Sequence, residues 1–295
     1  MAKTDMAGDT CIVTGANSGI GKATATALAG MGAHVVMVAR SRERGEAALG
    51  DVRRASGNAK VDLLLADLSS QASIRQLAAE ILAAYPSIDV LVNNAGAMHT
   101  SRSVTVDGIE TTWATNHLNY VLLTHLLLDR IKASAPARIV NVSSRAHARS
   151  TINFDDLQFE RGYSIMRCYG QSKLANVLFT YELARRLEGT GVTANCLHPG
   201  VVRTGFAKNS SGPLGTFIAG GARVAGMFFI SPEKGAETSS HLASSPAVEG
   251  VTGKYFARSK EAQSNAESHD REIALRLWEV SERMCGIATT VGAAP

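Results

Sequence analysis

The sequence predicts an α/β fold with a doubly wound, parallel sheet of about seven strands and helices on both faces. Short β-branched and apolar runs alternate along the chain with longer helical stretches, as in strand–helix–strand units. Several runs, such as CIV at 11–13 and VLV at 90–92, are wholly apolar, which is typical of strands covered on both faces. A chain of 295 residues, 45% of them apolar, can bury a full core around such a sheet.

The predicted elements follow one another without an internal repeat or a low-complexity linker, so one domain is expected over residues 1–295. The strands are expected at residues 10–14, 34–39, 60–65, 89–93, 138–142, 192–197 and 251–256. Helical stretches are expected between them, such as those at residues 21–30, 74–85, 108–132 and 169–188. A loosely patterned segment at 209–231 is interpreted as a substrate lid. A partner-binding or membrane-surface patch is the alternative for its apolar part, 212–230.

Composition excludes several classes of function. The balance of 30 Lys and Arg against 26 Asp and Glu is only mildly basic and shows no run of five basic residues, so no nucleic-acid partner is expected. The four cysteines are scattered without a C-x-x-C pair, which argues against a metal site or disulfides and fits a reducing cytoplasm. The first nine residues lack an apolar signal region, and glycines interrupt 212–230. We therefore expect no integral membrane segment and a cytoplasmic location.

A glycine-rich turn, TGANSGIGK at 14–22, follows the first predicted strand. Its three glycines allow a tight turn and a close approach of the backbone to a pyrophosphate, which the next helix meets with its N-terminal N–H groups. Glycines also mark ordinary turns, but their position between a strand and a helix favours dinucleotide binding. The residues of this turn predicted to bind the cofactor are Gly15, Asn17, Ser18, Gly19, Ile20 and Gly21.

Further segments in order along the chain resemble the short-chain dehydrogenase/reductase family over roughly residues 8–258. They are the glycine turn, Asp67-Leu68, NNAG at 93–96, Asn116, NVSS at 141–144, Tyr169-x-x-x-Lys173 and P-G-x-x-x-T at 199–204. The resemblance implies a Rossmann-type fold, a nicotinamide cofactor and interconversion of a carbonyl and an alcohol. The further cofactor-binding residues that it implies are Asp67, Leu68, Asn94, Ala95, Gly96, Tyr169, Lys173, Pro199, Gly200, Val202 and Thr204.

The interval between Ser144 and Tyr169 is 25 positions, about twice that of many family members. This interval is similar to that of the retinol-dehydrogenase-like branch, as are TTWATNHL at 111–118, SKLAN at 172–176 and HPGVV at 198–202. The likeness fades after about residue 209, and we expect no membrane anchor of the kind found in the animal enzymes. The resemblance implies lipid aldehydes, retinoid-like polyenes, steroids or polyketide ketones as candidate substrates.

Tyr169 and Lys173 are expected to form the catalytic pair. Residues four apart on a helix share one face, so both side chains can reach one pocket. A phenol with a pKa near 10 exchanges protons poorly at neutral pH, and a nearby ammonium group favours the phenolate and should lower that pKa. Lys173 could also hold the nicotinamide ribose through its three donors.

Two further residues complete the catalytic set that the resemblance implies. Ser144 would hydrogen-bond the substrate carbonyl oxygen, where negative charge develops as hydride arrives. Ser143 is the adjacent alternative, but the family motif places the catalytic serine second, and strand alternation points the two side chains to opposite sides. Asn116 is predicted to hold a water that links Lys173 to solvent; the alternative is an amide that only satisfies backbone groups.

The end of the second strand bears on cofactor choice. Enzymes that use NAD usually place an acidic residue there to bind the ribose diol. Here the strand ends in Arg40-Ser41-Arg42, and no acidic residue occurs before Glu43. Two guanidinium groups would attract a 2′-phosphate. NADP(H) is therefore the preferred cofactor and NAD(H) remains possible.

The function predicted from the sequence is an NADP(H)-dependent oxidoreductase acting on a small apolar carbonyl or alcohol substrate. Two alternatives stay open: a catalytically silent NADP(H)-sensing protein, and an enzyme like protochlorophyllide reductase. By analogy with the family, a homodimer or homotetramer formed through the two long helices, 108–132 and 169–188, is expected.

Overall fold

The computed structural model describes residues 5–200 and 230–288, and within these ranges eight strands form one sheet. The strands are β1 (Thr10–Thr14), β2 (His34–Ala39), β3 (Val61–Leu65), β4 (Val90–Asn93), β5 (Ala137–Val142), β6 (Val192–His198), β7 (Tyr255–Ala257) and β8 (Lys260–Glu261). Their order across the sheet is β3-β2-β1-β4-β5-β6-β7-β8. Neighbouring strands from β3 to β7 run parallel, and β8 pairs antiparallel with β7. The predicted doubly wound parallel sheet is confirmed.

Helices cover both faces of the sheet. They are α1 (Gly19–Gly30), α2 (Arg42–Ser56), α3 (Gln71–Ala84), α4 (Thr111–Trp113), α5 (Asn119–Ala133), α6 (Ile165–Arg186), α7 (Pro232–Ser244) and α8 (Arg271–Met284). The chain begins α2 and α3 with serine caps, since Ser41 and Ser70 accept hydrogen bonds from backbone N–H groups of the first turn. Gly57 ends α2 in a left-handed conformation with φ +70°.

Alternation along the strands divides the core into two layers. Ile12 of β1 packs with α3, α5, α6 and α8, whereas its neighbours Cys11 and Val13 pack on the opposite face with α1, α2 and α7. All five residues of β1 are buried, as the wholly apolar run predicts. The order of connections reverses between β1 and β4, so the carboxyl ends of these two strands open the crevice where ligands of such sheets bind.

Several boundaries differ from the sequence-based expectation, as in α6, which spans Ile165–Arg186 where 169–188 was expected. The seventh strand is shorter and later than 251–256, and the two-residue β8 was not predicted, because it is too short to show a periodic pattern. The helix expected at 108–132 is interrupted: a π-helical turn, Ala114–Leu118, joins α4 to α5. Of the predicted lid at 209–231, all but the last two residues lie outside the described ranges.

The last helix, α8, packs against α6 and α5 on the outer side of the domain. Trp278 stacks on Phe179 of α6 with ring centroids 5.4 Å apart, and Arg186 lies 4.2 Å above the Trp278 ring. A surface of the two long helices is thus covered by the chain itself. In the part of the chain that the structure describes, no helix is long and apolar enough to cross a membrane.

Candidate active site

The glycine turn lies at the carboxyl end of β1, as predicted. Gly15 and Gly19 have φ values of +66° and +53°, in the left-handed region that favours glycine. A Cβ at Gly21 would lie 2.4 Å from both the Gly15 carbonyl oxygen and the Asn94 Nδ2 atom, closer than any real contact. The backbone of α1 is therefore packed directly on the turn, and side chains are excluded from a cradle of the kind that a pyrophosphate needs.

Thr14 joins this turn to the segment after β4. The backbone N–H groups of Asn94 and Ala95 donate to Thr14 Oγ1 at 2.9 and 3.0 Å, and the Asn94 amide donates to the Thr14 carbonyl at 2.7 Å. The Thr14 hydroxyl in turn donates to the Val92 carbonyl at 3.3 Å. Sequence reasoning did not single out Thr14, although it is the first residue of the T-G-x-x-x-G-x-G motif.

The start of α1 leaves its backbone donors accessible to an anion. Ser18 is exposed and its side chain makes no capping hydrogen bond, and the first turn carries no acidic residue. These features agree with a phosphate site, because the first N–H groups of a helix have no partner within the helix. Lys22 points away towards α2, where it forms an ion pair with Asp51.

The two arginines after β2 have different surroundings. Arg40 is exposed at the strand end and makes no ion pair with any residue of the described ranges. Arg42 is also exposed but lies 3.3 Å from Glu46, one turn further along α2. Arg40 is therefore the stronger candidate for contact with a ribose phosphate.

Asp67 and Leu68 follow β3 at the same edge of the sheet. The Asp67 Oδ1 atom accepts hydrogen bonds from the backbone and the hydroxyl of Ser69, at 3.0 and 2.7 Å. Leu68 packs against the main hydrophobic core. This arrangement holds the Asp67 carboxylate in one orientation, next to the crevice.

The catalytic residues expected from the sequence lie together at the carboxyl end of β5 and on α6. The Ser144 hydroxyl hydrogen-bonds the Tyr169 side chain. The Ser143 hydroxyl donates instead to the Lys173 carbonyl at 2.7 Å, inside the core. The two serines therefore face opposite sides, and Ser144 is the one that shares a site with the tyrosine.

Lys173 is almost fully buried, with 3% of its surface exposed. Its ammonium nitrogen donates to the Val142 carbonyl at 3.0 Å and lies 5.8 Å from the centre of the Tyr169 ring. Burial lowers the pKa of Lys173 to about 7. Near neutral pH the lysine can therefore both hold and release a proton.

The pKa of Tyr169 is higher than the sequence argument expected. Burial raises it above the ordinary phenol value, and the hydrogen bond from Ser144 opposes this only in part. The expectation that Lys173 lowers the tyrosine pKa is not met, because burial has the largest effect on the Tyr169 pKa and raises it. In this structure Tyr169 is a neutral phenol, which is the form that can give a proton.

Asn116 lies in the π-helical turn and is fully buried. Its side-chain oxygen accepts from the Ala97 N–H at 2.7 Å, and its amide donates to the Ala97 carbonyl at 2.9 Å and to Ser172 at 3.1 Å. The side chain thus satisfies backbone groups, as the alternative interpretation held. A Cβ at Gly96 would lie 3.1 Å from Asn116 Oδ1 and 3.3 Å from Lys173 Nζ, so this glycine lets the chain pass close to both.

The segment after β6 is only partly described. Gly200 follows Pro199 with φ +92°, and its N–H donates to His198 Nδ1 at 3.1 Å. The predicted cofactor contacts Val202 and Thr204 lie outside the described ranges.

Sequence reasoning undervalued two residues that support the site. His147 Nδ1 donates to the Ser144 carbonyl at 2.6 Å and so fixes the backbone of that serine. The buried Glu110 accepts from the N–H groups of Thr112 and Trp113 at 2.8 and 2.7 Å, and from the Cys168 thiol at 3.3 Å. It therefore ties the start of α4 to the residue before Tyr169. Only the position of Cys168 next to the tyrosine hinted at this contact in the sequence.

The described structure contains a cleft that lies away from the predicted site. A cleft of about 970 Å³ opens at the opposite edge of the sheet, beside Ala137 and Val192 at the starts of β5 and β6, and contains none of the predicted site residues. The crevice at the carboxyl ends is therefore identified by its chemistry and not by its volume. Among residues 5–200 and 230–288, no group of three His, Cys, Asp or Glu side chains could hold a metal ion.

Comparison with known proteins agrees with the geometry. The profile of the short chain dehydrogenase family matches residues 9–213. Human retinol dehydrogenase 14 is 46% identical to this chain over 295 residues, covering 96% of this chain and 88% of its own length. A solved structure of an uncharacterized protein from Mycobacterium paratuberculosis is 33% identical with a TM-score of 0.77, covering 97% of this chain and 96% of its own. The complex of Pseudomonas aeruginosa RhlG with NADP is 28% identical with a TM-score of 0.68, covering 87% and 97%.

Proposed function

The chain belongs to the short chain dehydrogenase family and is an oxidoreductase that interconverts alcohol and carbonyl groups, and we propose that it uses NADP(H) on an apolar substrate. The observation that carries this proposal is the arrangement of Ser144, Tyr169 and Lys173 beside a glycine cradle at the switch point of the sheet. A protein that only senses the nucleotide would have no use for these catalytic side chains.

The cradle fits a dinucleotide. Gly15 and Gly19 give the turn its left-handed conformation, Gly21 lets α1 pack directly on the turn, and the uncapped start of α1 offers donors to the pyrophosphate. Asp67 would contact the adenine part of the cofactor, and the Asn94–Gly96 segment, which the resemblance also implies as cofactor-binding, would line its site nearer Lys173. The exposed guanidinium of Arg40 favours a 2′-phosphate and thus NADP(H), the cofactor found in the related P. aeruginosa complex.

Ser144, Tyr169 and Lys173 would each have a separate role in carbonyl reduction. When bound, the reduced nicotinamide supplies the hydride to the carbonyl carbon. Ser144 donates a hydrogen bond to the carbonyl oxygen and stabilises the negative charge that develops there. Tyr169, held neutral by burial, gives its phenolic proton to that oxygen, and Lys173, with its pKa of about 7, stabilises the phenolate and passes a proton back to it. In the oxidative direction each transfer is reversed.

We propose a retinoid-like or other long apolar carbonyl compound as the substrate. The curated relatives are named retinol dehydrogenases, and the match covers 96% of this chain. Reduction is the expected direction in cells, because the NADPH pool is usually kept reduced. The cytoplasmic location and the homodimer or homotetramer expected from the sequence stay predictions.

The test is a spectroscopic assay of the purified protein at the absorbance band of the reduced nicotinamide. NADPH and NADH are each offered with retinaldehyde, with a long-chain aliphatic aldehyde and with a small polar aldehyde as control. We expect oxidation of NADPH with the two apolar aldehydes and little with the polar one. NADPH binding without turnover of any of them would contradict the proposed substrate class, and equal use of NADH would contradict the role of Arg40.

A further inference from the structure

A short 3-10 helix, Arg145–Arg149, directly follows Ser144, and we call it the serine turn. The Ala146 N–H donates to Ser144 Oγ at 3.3 Å. The Ser144 carbonyl accepts from the backbone N–H of His147 at 3.1 Å and from His147 Nδ1 at 2.6 Å. The position of the Ser144 hydroxyl therefore depends on where the serine turn lies.

The serine turn packs on α6 beside the predicted catalytic tyrosine. Gly170, the residue after Tyr169, allows this close packing. A Cβ at Gly170 would overlap the hydroxyl of Ser150, the residue that ends the turn, and would lie 3.1 Å from the Ala146 carbonyl oxygen. A displacement of the turn would thus change the distance between the Ser144 hydroxyl and Tyr169. The chain between these two residues is 25 positions long, so it restrains this distance only weakly.

Asn265 ties the serine turn to the C-terminal part of the chain. Its Nδ2 atom donates to the His147 carbonyl at 3.0 Å and to the Ser150 carbonyl at 2.8 Å. Its Oδ1 atom accepts from the Glu267 N–H at 2.7 Å, and the Glu267 carboxylate accepts from the Ile152 N–H at 2.8 Å. Hydrogen bonds within the turn set its shape, whereas those of Asn265 attach it to a distant segment. Sequence reasoning gave Asn265 no role, and the family profile ends at residue 213.

The orientation of the Asn265 amide is fixed by the atoms around it. Backbone carbonyls only accept and a backbone N–H only donates, so the NH₂ group must face the serine turn and the oxygen must face Glu267. An aspartate has almost the same shape, but its carboxylate carries acceptors on both oxygens. It would place an oxygen against the two carbonyls of the turn, where acceptors repel and no hydrogen bond forms.

We propose that Asn265 is a positioning residue, which holds the serine turn against α6 and thereby sets the position of the Ser144 hydroxyl relative to Tyr169. The inference rests on the proposed function for its catalytic consequence. Its structural part, the anchoring of the turn, does not depend on what the enzyme reduces.

Asn58 offers a matched control away from the site. Its Nδ2 atom donates to the Ala29 and Ala33 carbonyls, both at 2.9 Å, and its Oδ1 atom accepts from the Lys60 N–H at 2.8 Å. Both asparagines are partly exposed. The partners of Asn58 lie at the end of α1 and before β2 and β3, at the opposite edge of the sheet from Ser144. Asn58→Asp therefore introduces the same repulsion without touching the serine turn.

The test is a double-mutant cycle on the whole chain, with kcat for carbonyl reduction and thermal unfolding as readouts. Asn265→Asp, the milder Asn265→Ala and the control Asn58→Asp are each made in the wild type and in Ser144→Ala. A second measurement needs no turnover. In ¹⁵N-histidine-labelled protein, the Nδ1–H signal of His147, identified by its loss in His147→Gln, reports the hydrogen bond to the Ser144 carbonyl.

We expect Asn265→Asp to lower kcat about ten- to a hundredfold, because a displacement of about 1 Å at a reacting group can have an effect of this size. Asn265→Ala should lower kcat about two- to tenfold, the factor that one hydrogen bond is worth. In Ser144→Ala neither change should lower kcat further, because the hydroxyl that Asn265 positions is already absent. Asn58→Asp should lose thermal stability to a similar degree and keep its kcat. The His147 signal should shift in Asn265→Asp and stay unchanged in Asn58→Asp.

A fall in kcat that is equally large with and without the Ser144 hydroxyl overturns the proposal, as does an unchanged kcat or an unchanged His147 signal in Asn265→Asp. If the aspartate variant does not fold, Asn265→Ala decides by the same criteria. If no tested carbonyl is reduced, the proposed function fails, while the His147 signal still decides whether Asn265 anchors the turn.

Discussion

Replacement of Lys173 by methionine should stabilise the protein at acidic and neutral pH while it abolishes turnover. The side chain is 3% exposed, and its pKa of about 7 lies some 3.5 pH units below the ordinary value of 10.5. At 1.36 kcal/mol for each unit, the folded state bears a cost of roughly 5 kcal/mol for the charged lysine. The methionine variant loses the hydrogen bond to the Val142 carbonyl, which still accepts from the Tyr120 hydroxyl at 3.3 Å and the Asn176 amide at 3.5 Å, so this loss costs only about 1 kcal/mol. The net gain expected at pH 6 is therefore about 4 kcal/mol.

The sign of this effect changes with pH. Between about pH 7 and 10.5 the unfolded lysine binds a proton that the folded one has released, so wild-type stability rises with pH through this window. The advantage of Lys173→Met should shrink across the same window and reverse near its upper end. Denaturant unfolding of both proteins between pH 6 and 10 measures the difference between their free energies of unfolding. Titrating groups that the two proteins share contribute equally to both free energies and cancel in this difference. The claim that the charge of the buried Lys173 destabilises the folded state would be refuted by a variant that is less stable than the wild type at pH 6. A stability difference that is independent of pH would refute it as well.

Three further predictions concern the cradle, the cofactor and the serine pair. Gly21→Ala should lose about 1–3 kcal/mol of stability and most NADPH affinity in calorimetry, because its Cβ would meet backbone at 2.4 Å, whereas Gly30→Ala on the same helix has open space and should keep both. Arg40→Glu should reduce the NADPH-to-NADH ratio of kcat/KM by about ten- to a hundredfold, the value of a charged hydrogen bond; an unchanged ratio would exclude a phosphate contact. Ser144→Ala should lower kcat by about 10²–10³-fold with little change in stability. Ser143→Ala should instead cost about 1–3 kcal/mol in thermal unfolding with kcat preserved, and the reverse pattern would show that the two serines had been exchanged.

The fold was predictable because its signals are local. The apolar run of β1 predicts a buried strand, and the glycines that follow it predict a tight turn. Both occur at the expected residues. The boundaries that failed depend on tertiary contacts. The π-helical turn at Ala114–Leu118 widens a helix whose periodicity looks continuous, and side chains of α6, such as Asn176, satisfy the carbonyl that it exposes.

The sequence predicts which residues form the site, but it does not predict their pKa values. The spacing of Tyr169 and Lys173 indicates a shared face, yet only the structure shows that both are so buried that the lysine pKa falls and the tyrosine pKa rises. The role of the Asn116 side chain on the Ala97 backbone also lies beyond sequence reasoning, since it joins segments 19 residues apart. The hydrogen bond from Ser143 to the Lys173 carbonyl had no local signal either, because the two residues are 30 positions apart.

The central claim is that Tyr169 exchanges the proton during NADPH-dependent carbonyl reduction, and Tyr169→Phe tests it most directly. The variant keeps the ring and loses only the hydroxyl, so NADPH should bind with the affinity of the wild type in a fluorescence titration. The rate of retinaldehyde reduction should fall by at least about 10²-fold, the usual contribution of a positioned acid. A variant that binds NADPH normally and still reduces the aldehyde at the wild-type rate would contradict the account.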